Sequence, residues 1–148
     1  MIKYIKTRNV KDPERKGRNA GIDLFIPEDT DWKELILTPN TSCNIPSGIK
    51  FKVPKGNCLI AFNKSGVASK YNLQVGACLI DENYTGEVHI NLMNVGKTMV
   101  YLEKGQKILQ LVLIKQEYLK LEKYNNEKDI FEEKDFEERG EGNFGSTG

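Results

Sequence analysis

The stretch Val88-His89-Ile90-Asn91-Leu92-Met93-Asn94 reads as a β-strand. Side chains on an extended chain point alternately to its two faces, so Val88, Ile90 and Leu92 face one way and His89, Asn91 and Met93 the other. Short apolar runs recur at residues 2–5, 35–37, 49–53, 59–62, 99–102 and 108–114, separated by clusters of Pro, Gly and Asn. A series of such runs with turn signals between them predicts an all-β sandwich or barrel. Helical spacing is confined to Ser65–Tyr71, where Ser65 is placed to cap a short helix and Val67, Ala68 and Tyr71 fall on one side.

At 148 residues the chain can bury one core but not two, which sets one domain as the expectation. Lys and Arg number 22 against 21 Asp and Glu, a net charge of +1 that gives no electrostatic case for nucleic acid or an anionic membrane as partner. Any anion must be held by local design. Cys43, Cys58 and Cys78 form an odd set without C-x-x-C spacing, which argues against a disulfide framework or a zinc site and for a reducing compartment. Met1-Ile2-Lys3-Tyr4-Ile5-Lys6 lacks the long apolar region of a signal peptide, and no apolar run approaches membrane-spanning length. A soluble, cytoplasmic protein is expected, in the host cytoplasm if the source is viral.

From residue 115 to 138 the composition shifts to Lys, Glu and Asn, and it ends in the Gly-rich run Arg139-Gly140-Glu141-Gly142-Asn143-Phe144-Gly145-Ser146-Thr147-Gly148. Such a segment has too little apolar surface to order itself, so a mobile arm is expected rather than a second domain. The expected organisation is a β domain with its connecting arm over residues 1–138 and a Gly-rich tail over residues 139–148.

Five short segments carry candidate chemistry. Ala20-Gly21-Ile22-Asp23-Leu24 places an acid at the entry to a strand. Asn63-Lys64-Ser65-Gly66-Val67-Ala68 puts a cation, a hydroxyl and a Gly at a helix start, where free N–H groups can meet phosphate. Gly76-Ala77-Cys78-Leu79-Ile80-Asp81-Glu82-Asn83-Tyr84-Thr85-Gly86-Glu87 is a hairpin signal with an acid after an apolar run. Gly105-Gln106-Lys107-Ile108-Leu109-Gln110-Leu111 is a turn entering a strand, and the Gly-rich end is the fifth.

In that order the five resemble the five sequence motifs of the trimeric dUTPases, from Ala20 to the last residue. The resemblance implies a jelly-roll-like distorted barrel with one short helix and a mobile C-terminal arm. It also implies a homotrimer with sites shared between subunits, and hydrolysis of dUTP to dUMP and pyrophosphate with Mg2+ held mainly by the triphosphate and water. That reaction limits uracil incorporation into DNA and supplies dUMP for thymidylate synthesis. Asp81 becomes the general base that activates water. Asp23 becomes a group that positions magnesium-bound water without ligating the ion directly.

The same resemblance assigns substrate contacts. Lys64, Ser65 and Gly66 approach phosphate, and the hairpin backbone at Ala77, Cys78 and Ile80 reads the uracil edge, where cytosine would leave buried groups unpaired. Tyr84 lies against the deoxyribose and excludes a 2′-hydroxyl, and Gln110 lies near the phosphates. The resemblance gives the tail over residues 139–148 the role of closing over substrate: Arg139 supplies a bidentate cation, Phe144 stacks on the base, Gly145 lets backbone approach the triphosphate, and Ser146 and Thr147 supply hydroxyls. The chain departs from the family pattern at Asn63 and Lys64 (Pro-Arg), Cys78 (Gly), Gln106 and Lys107 (Asp-Arg) and Asn143 (Gly). Lysine keeps arginine's charge but lacks its planar fork.

Two rivals remain at this stage. The related dCTP deaminases share the fold and parts of these motifs, but their catalytic Glu aligns with Asn91 here. A nucleotide-gated regulator that binds a repressor or other protein through the same scaffold is the other. His89, the single histidine, reads as structural, and Trp32 as a loop anchor.

Overall fold

The computed structural model describes residues 1–138. The chain divides into two units, Met1–Glu117 and a second from Tyr118 onwards. The first carries β1 (Lys3–Lys6), β2 (Gly21–Phe25), β3 (Glu34–Leu37), β4 (Ser42–Pro46), β5 (Ile49–Lys52), β6 (Asn57–Asn63), α1 (Ser65–Tyr71), β7 (Leu73–Val75), β8 (Leu79–Ile80), β9 (His89–Asn94), β10 (Val100–Glu103) and β11 (Lys107–Lys115). The second contains a 3-10 turn at Glu127–Asp129 and α2 (Glu133–Glu138), and its side chains over residues 118–135 are exposed. Among the described residues no helix is long and apolar enough to cross a membrane.

Every strand pairing is antiparallel. The sheets run β1-β5, β10-β3, β2-β11-β6-β8 and β4-β9-β7. Strand β9 has the alternation its sequence predicts: Val88, Ile90 and Leu92 are buried, His89 and Met93 are exposed, and Asn91 is half-buried. On β11, Leu109 and Leu111 are buried in the core while Gln110 between them is only half-buried. Together with Leu24, Leu59, Ile90 and Leu102 they fill one apolar core, and full burial of each such side chain stabilises the fold by about 1.5–3 kcal/mol. Trp32 packs against that core from a loop.

Strands β4 and β7 have no apolar run long enough to announce them; both exist because β9 offers them a ladder, with Asn44 opposite Asn91 and Val75 opposite Leu92. Helix α1 spans the expected residues, but Ser65 is not its cap. Lys64 takes the extended N-cap position without a side-chain hydrogen bond, and Ser65 is already helical. The helix ends on Asn72 in the left-handed region (φ 52°), whose N–H returns to the Ala68 carbonyl.

Candidate active site

The four-stranded sheet organises the site by the parity of its residues. Gln110 on β11 stands opposite Asp23 on β2 and Phe62 on β6. Leu111 stands opposite Ile22 and Ala61. Neighbouring positions on a strand project to opposite faces, so Asp23 and Gln110 share the outer face, and Leu109, Leu111 and Ala61 the inner one.

On the inner face a pocket of about 250 Å³ is lined by Ala61, Leu109 and Leu111 from the sheet and by Ala77, Cys78, Ile80, Asp81 and Tyr84 from the hairpin. Leu79, Val88 and His89 complete the wall. The expected hairpin is not a pair of ladder strands, because β8 pairs with β6 while β9 pairs with β4 and β7. It is a turn segment between two sheets, called the hairpin below, and it is held in several places. The Cys78 carbonyl accepts the Ala61 N–H (2.8 Å), and Tyr84 N–H reaches the Asp81 carbonyl (3.2 Å). Glu82 turns away from the pocket, its Oε2 accepting the Gly56 N–H (2.5 Å) and the Gln116 amide (3.4 Å). Asp81 is exposed, on the pocket side. Tyr84 donates its hydroxyl to the Glu87 carbonyl (2.9 Å), lying so close over Gly86 that a Cβ there would come within 2.4 Å of the hydroxyl oxygen.

The outer face carries a chain of charges. Lys64 Nζ meets Asp23 Oδ1 at 2.6 Å, and Lys107 Nζ bridges Asp23 Oδ2 (2.9 Å) and Glu14 Oε2 (2.5 Å). Burial pushes the Asp23 carboxyl up, but hydrogen bonds from Lys64 and Lys107 outweigh it and hold the group below its ordinary value. The Glu14 carboxyl is lowered chiefly by its hydrogen bond from Lys107, and Lys107 is raised in turn by Glu14 and Asp23. Gln110 Nε2 donates to the Asn63 carbonyl (3.0 Å), and its Oε1 occupies the space a Cβ on Gly21 would need, at 2.2 Å. Asn63 Oδ1 accepts the Val75 N–H (2.7 Å), a polar tie between the end of β6 and β7 at a position where the family has Pro. Ser65 and Gly66 are exposed at the start of α1.

The expected site residues therefore separate into two groups. Ala77, Cys78, Ile80, Asp81 and Tyr84 come together in the pocket, whereas Asp23, Lys64, Ser65, Gly66 and Gln110 are not among its walls. Arg139, Phe144, Gly145, Ser146 and Thr147 lie outside the described residues. The sequence reading did not anticipate His89 in the pocket wall, where its Nδ1 lies 3.0 Å from the Glu87 carbonyl. The signal available was parity alone, since His89 sits on the polar face of β9 directly after the hairpin. Among the described residues no three of His, Cys, Asp and Glu come together as a metal site.

An antiparallel β scaffold of short sheets around one apolar core, with a small pocket walled by a turn segment and a carboxylate, defines a jelly-roll protein. Residues 8–148 match the dUTPase family model, and the chain belongs to the dUTPase family. It is 36% identical over 132 residues to the deoxyuridine 5′-triphosphate nucleotidohydrolase of Mus musculus, covering 89% of this chain and 74% of that protein. It is 32% identical over 135 residues to the Pol polyprotein of equine infectious anemia virus (strain Wyoming), covering 91% of this chain but only 11% of the polyprotein. Among solved structures, the dUTPase of that virus has TM-score 0.69 at 27% identity over 86% of this chain and 98% of its own. A variant dUTPase of Staphylococcus bacteriophage 80alpha, solved with dUpNHpp, has TM-score 0.82 at 24% identity over 100% of this chain and 98% of its own.

Proposed function

We propose that the chain hydrolyses dUTP to dUMP and pyrophosphate. The observation that carries this reading is the pocket itself, with Asp81 and Tyr84 on one wall and hairpin backbone on another. The uracil ring fits against Ala61, Leu109 and Leu111, and the Ala77, Cys78 and Ile80 segment reads its edge. Tyr84 fills the space of a ribose 2′-hydroxyl. The Asp81 carboxylate accepts a proton from water as that water attacks phosphorus, and the anhydride bond between the α and β phosphates breaks to release pyrophosphate.

Lys64, Ser65, Gly66 and Gln110 take the phosphates, Lys64 exchanging part of its contact with Asp23 for phosphate oxygens. Magnesium fits as an ion brought by the triphosphate and its water, because the described residues offer no three-ligand cage. When bound it neutralises charge on the phosphate oxygens. Asp23 would orient magnesium-bound water without ligating the ion.

Asp23, which holds both lysines, lies on the face of the sheet opposite the base pocket, and this favours a site completed by a second subunit. A homotrimer supplies one: each site takes the pocket of one subunit and the lysines of its neighbour, and three-fold symmetry closes the ring. Outer-face residue Phe62 is 44% exposed in the single chain, apolar surface suited to such a contact. The tail closes over the nucleotide through Arg139, Phe144, Gly145, Ser146 and Thr147.

Deamination is not expected. Asn91, at the position matched to the deaminase Glu, carries an amide already engaged by Ala77 and Cys43, and an amide is neither acidic nor basic enough to shuttle a proton to a cytosine amino group. Pyrophosphate release measured side by side from dUTP, dCTP, dTTP and UTP tests the reading. Preference for dUTP supports it, and ammonia from dCTP would overturn it.

A further inference from the structure

Asn91 belongs to none of the five motif segments, yet it makes two hydrogen bonds to the start of the base-reading hairpin. Its Oδ1 accepts the Ala77 N–H at 2.9 Å, and its main-chain carbonyl accepts the Gly76 N–H at 3.1 Å. Its Nδ2 donates to the Cys43 carbonyl on β4 at 3.1 Å. The fit is close: a Cβ on Gly76 would lie 2.0 Å from Asn91 Oδ1, so residue 76 must be Gly for the amide to reach past it to Ala77.

The consequence is a count of free groups. Asn91 removes the N–H donors of Gly76 and Ala77, and Ala61 occupies the carbonyl of Cys78. Among the described residues the Ala77 carbonyl and the Cys78 N–H keep no partner, and both residues line the pocket. The two belong to one trans peptide unit and point in opposite directions, so only one of them can face the edge of a base in the pocket. A carbonyl facing the base accepts the N3–H of uracil and opposes the N3 lone pair of cytosine, whereas a turned-over peptide presenting its N–H would favour cytosine at that position. Discrimination therefore depends on a peptide that cannot turn over or shift, and Asn91 holds its near side by the Ala77 N–H.

We infer that Asn91 is a positioning residue for base selection: by pinning Ala77 and Gly76 to β9 it fixes the register in which the hairpin reads uracil. This rests on the dUTP reading given above. Asn91 acts through the backbone of residues 76–78 and touches no reacting atom.

Three measurements test it. In the parent protein the Ala77 amide exchanges with solvent more slowly than the Cys78 amide; equal rates would show that the Asn91 bond does not form in solution, and would overturn the inference. In Asn91→Ala, the ratio of kcat/KM for dUTP to that for dCTP falls about tenfold, through a raised KM for dUTP with kcat nearly unchanged. A folded variant with an unchanged ratio overturns it. Asn91→Asp keeps an oxygen for Ala77 and loses the donor to Cys43, so it is expected to retain most of the selectivity. Equal loss in both variants would place the effect on the Cys43 link and likewise overturn the role. A parent protein that leaves dUTP intact would instead sink the catalytic reading, while the exchange comparison still reports on Asn91 alone.

Discussion

The ammonium of Lys64 and the carboxylate of Asp23, 41 residues apart in sequence, meet at 2.6 Å and join the start of α1 to β2. Both side chains are largely buried, with 26% and 13% of their surface exposed, and Lys107 binds the second Asp23 oxygen. Asp23 thus neutralises two cations that would otherwise repel each other.

That arrangement sets a pH dependence. Asp23 has a folded-state value below its unfolded one, so its contribution is fully present above the unfolded value, about 3.9, and is lost as pH falls through the folded value. Asp23→Asn should destabilise the protein by roughly 1–2 kcal/mol near neutral pH. The difference from the parent should shrink below about pH 4. Thermal melts of both proteins across that range check it, and a gap that stays constant to low pH would discard the ion pair as its source.

Asp81→Asn should lower turnover of dUTP by about 10²-fold or more, the usual scale for loss of a general base, with nucleotide binding retained. Single-turnover kinetics beside titration with a non-hydrolysable analogue separate the two. Near-normal turnover would mean that another group activates the water.

Subunits carrying Asp81→Asn and subunits carrying Lys64→Ala, each weak alone, should recover activity when unfolded and refolded together, because some mixed sites then draw both intact residues from different chains. Light scattering should give roughly three times the 16.8 kDa chain mass. No recovery on mixing, or a monomeric mass, would remove the shared-site arrangement.

Tyr84→Ala should raise UTP hydrolysis relative to dUTP by opening space for the 2′-hydroxyl. It should also release the Glu87 carbonyl, so a small loss of stability accompanies the change. An unchanged UTP to dUTP ratio clears Tyr84 of sugar selection.

Removal of residues 139–148 takes no described strand, so folding should survive while activity falls by more than tenfold. Stacking by Phe144 is worth about 1–3 kcal/mol, and an Arg139 contact to phosphate is of similar order. Circular dichroism and pyrophosphate release on the truncated chain decide this, with full activity ruling out the tail as a closing element.

The strands with continuous or alternating apolar residues, such as β9 and β11, were legible because burial alone dictates them. Strands β4 and β7 were not, because Ser42-Cys43-Asn44-Ile45-Pro46 and Leu73-Gln74-Val75 become strands only when β9 lies between them. At the site, the pocket group from Ala77 to Tyr84 was legible as one contiguous segment, though its flanking strands join different sheets rather than each other. The ties made by Asn63 and Asn91 were hidden, since an Asn in a strand says nothing about which distant N–H its amide will find. Glu14 was hidden likewise: its pairing with Lys107 arises from a bridge that brings the N-terminal segment beside β2.

Parity on β11 also constrains how this gene can drift. Loops can gain or lose codons freely, but one residue inserted between Leu109 and Gln110 would turn every later side chain of the strand over. A leucine would then face the lysines and an amide would face the pocket, so a single small indel would injure both faces of the sheet at once. Length variation among descendants of this chain should therefore gather outside residues 107–115, where the backbone keeps no two-sided obligation.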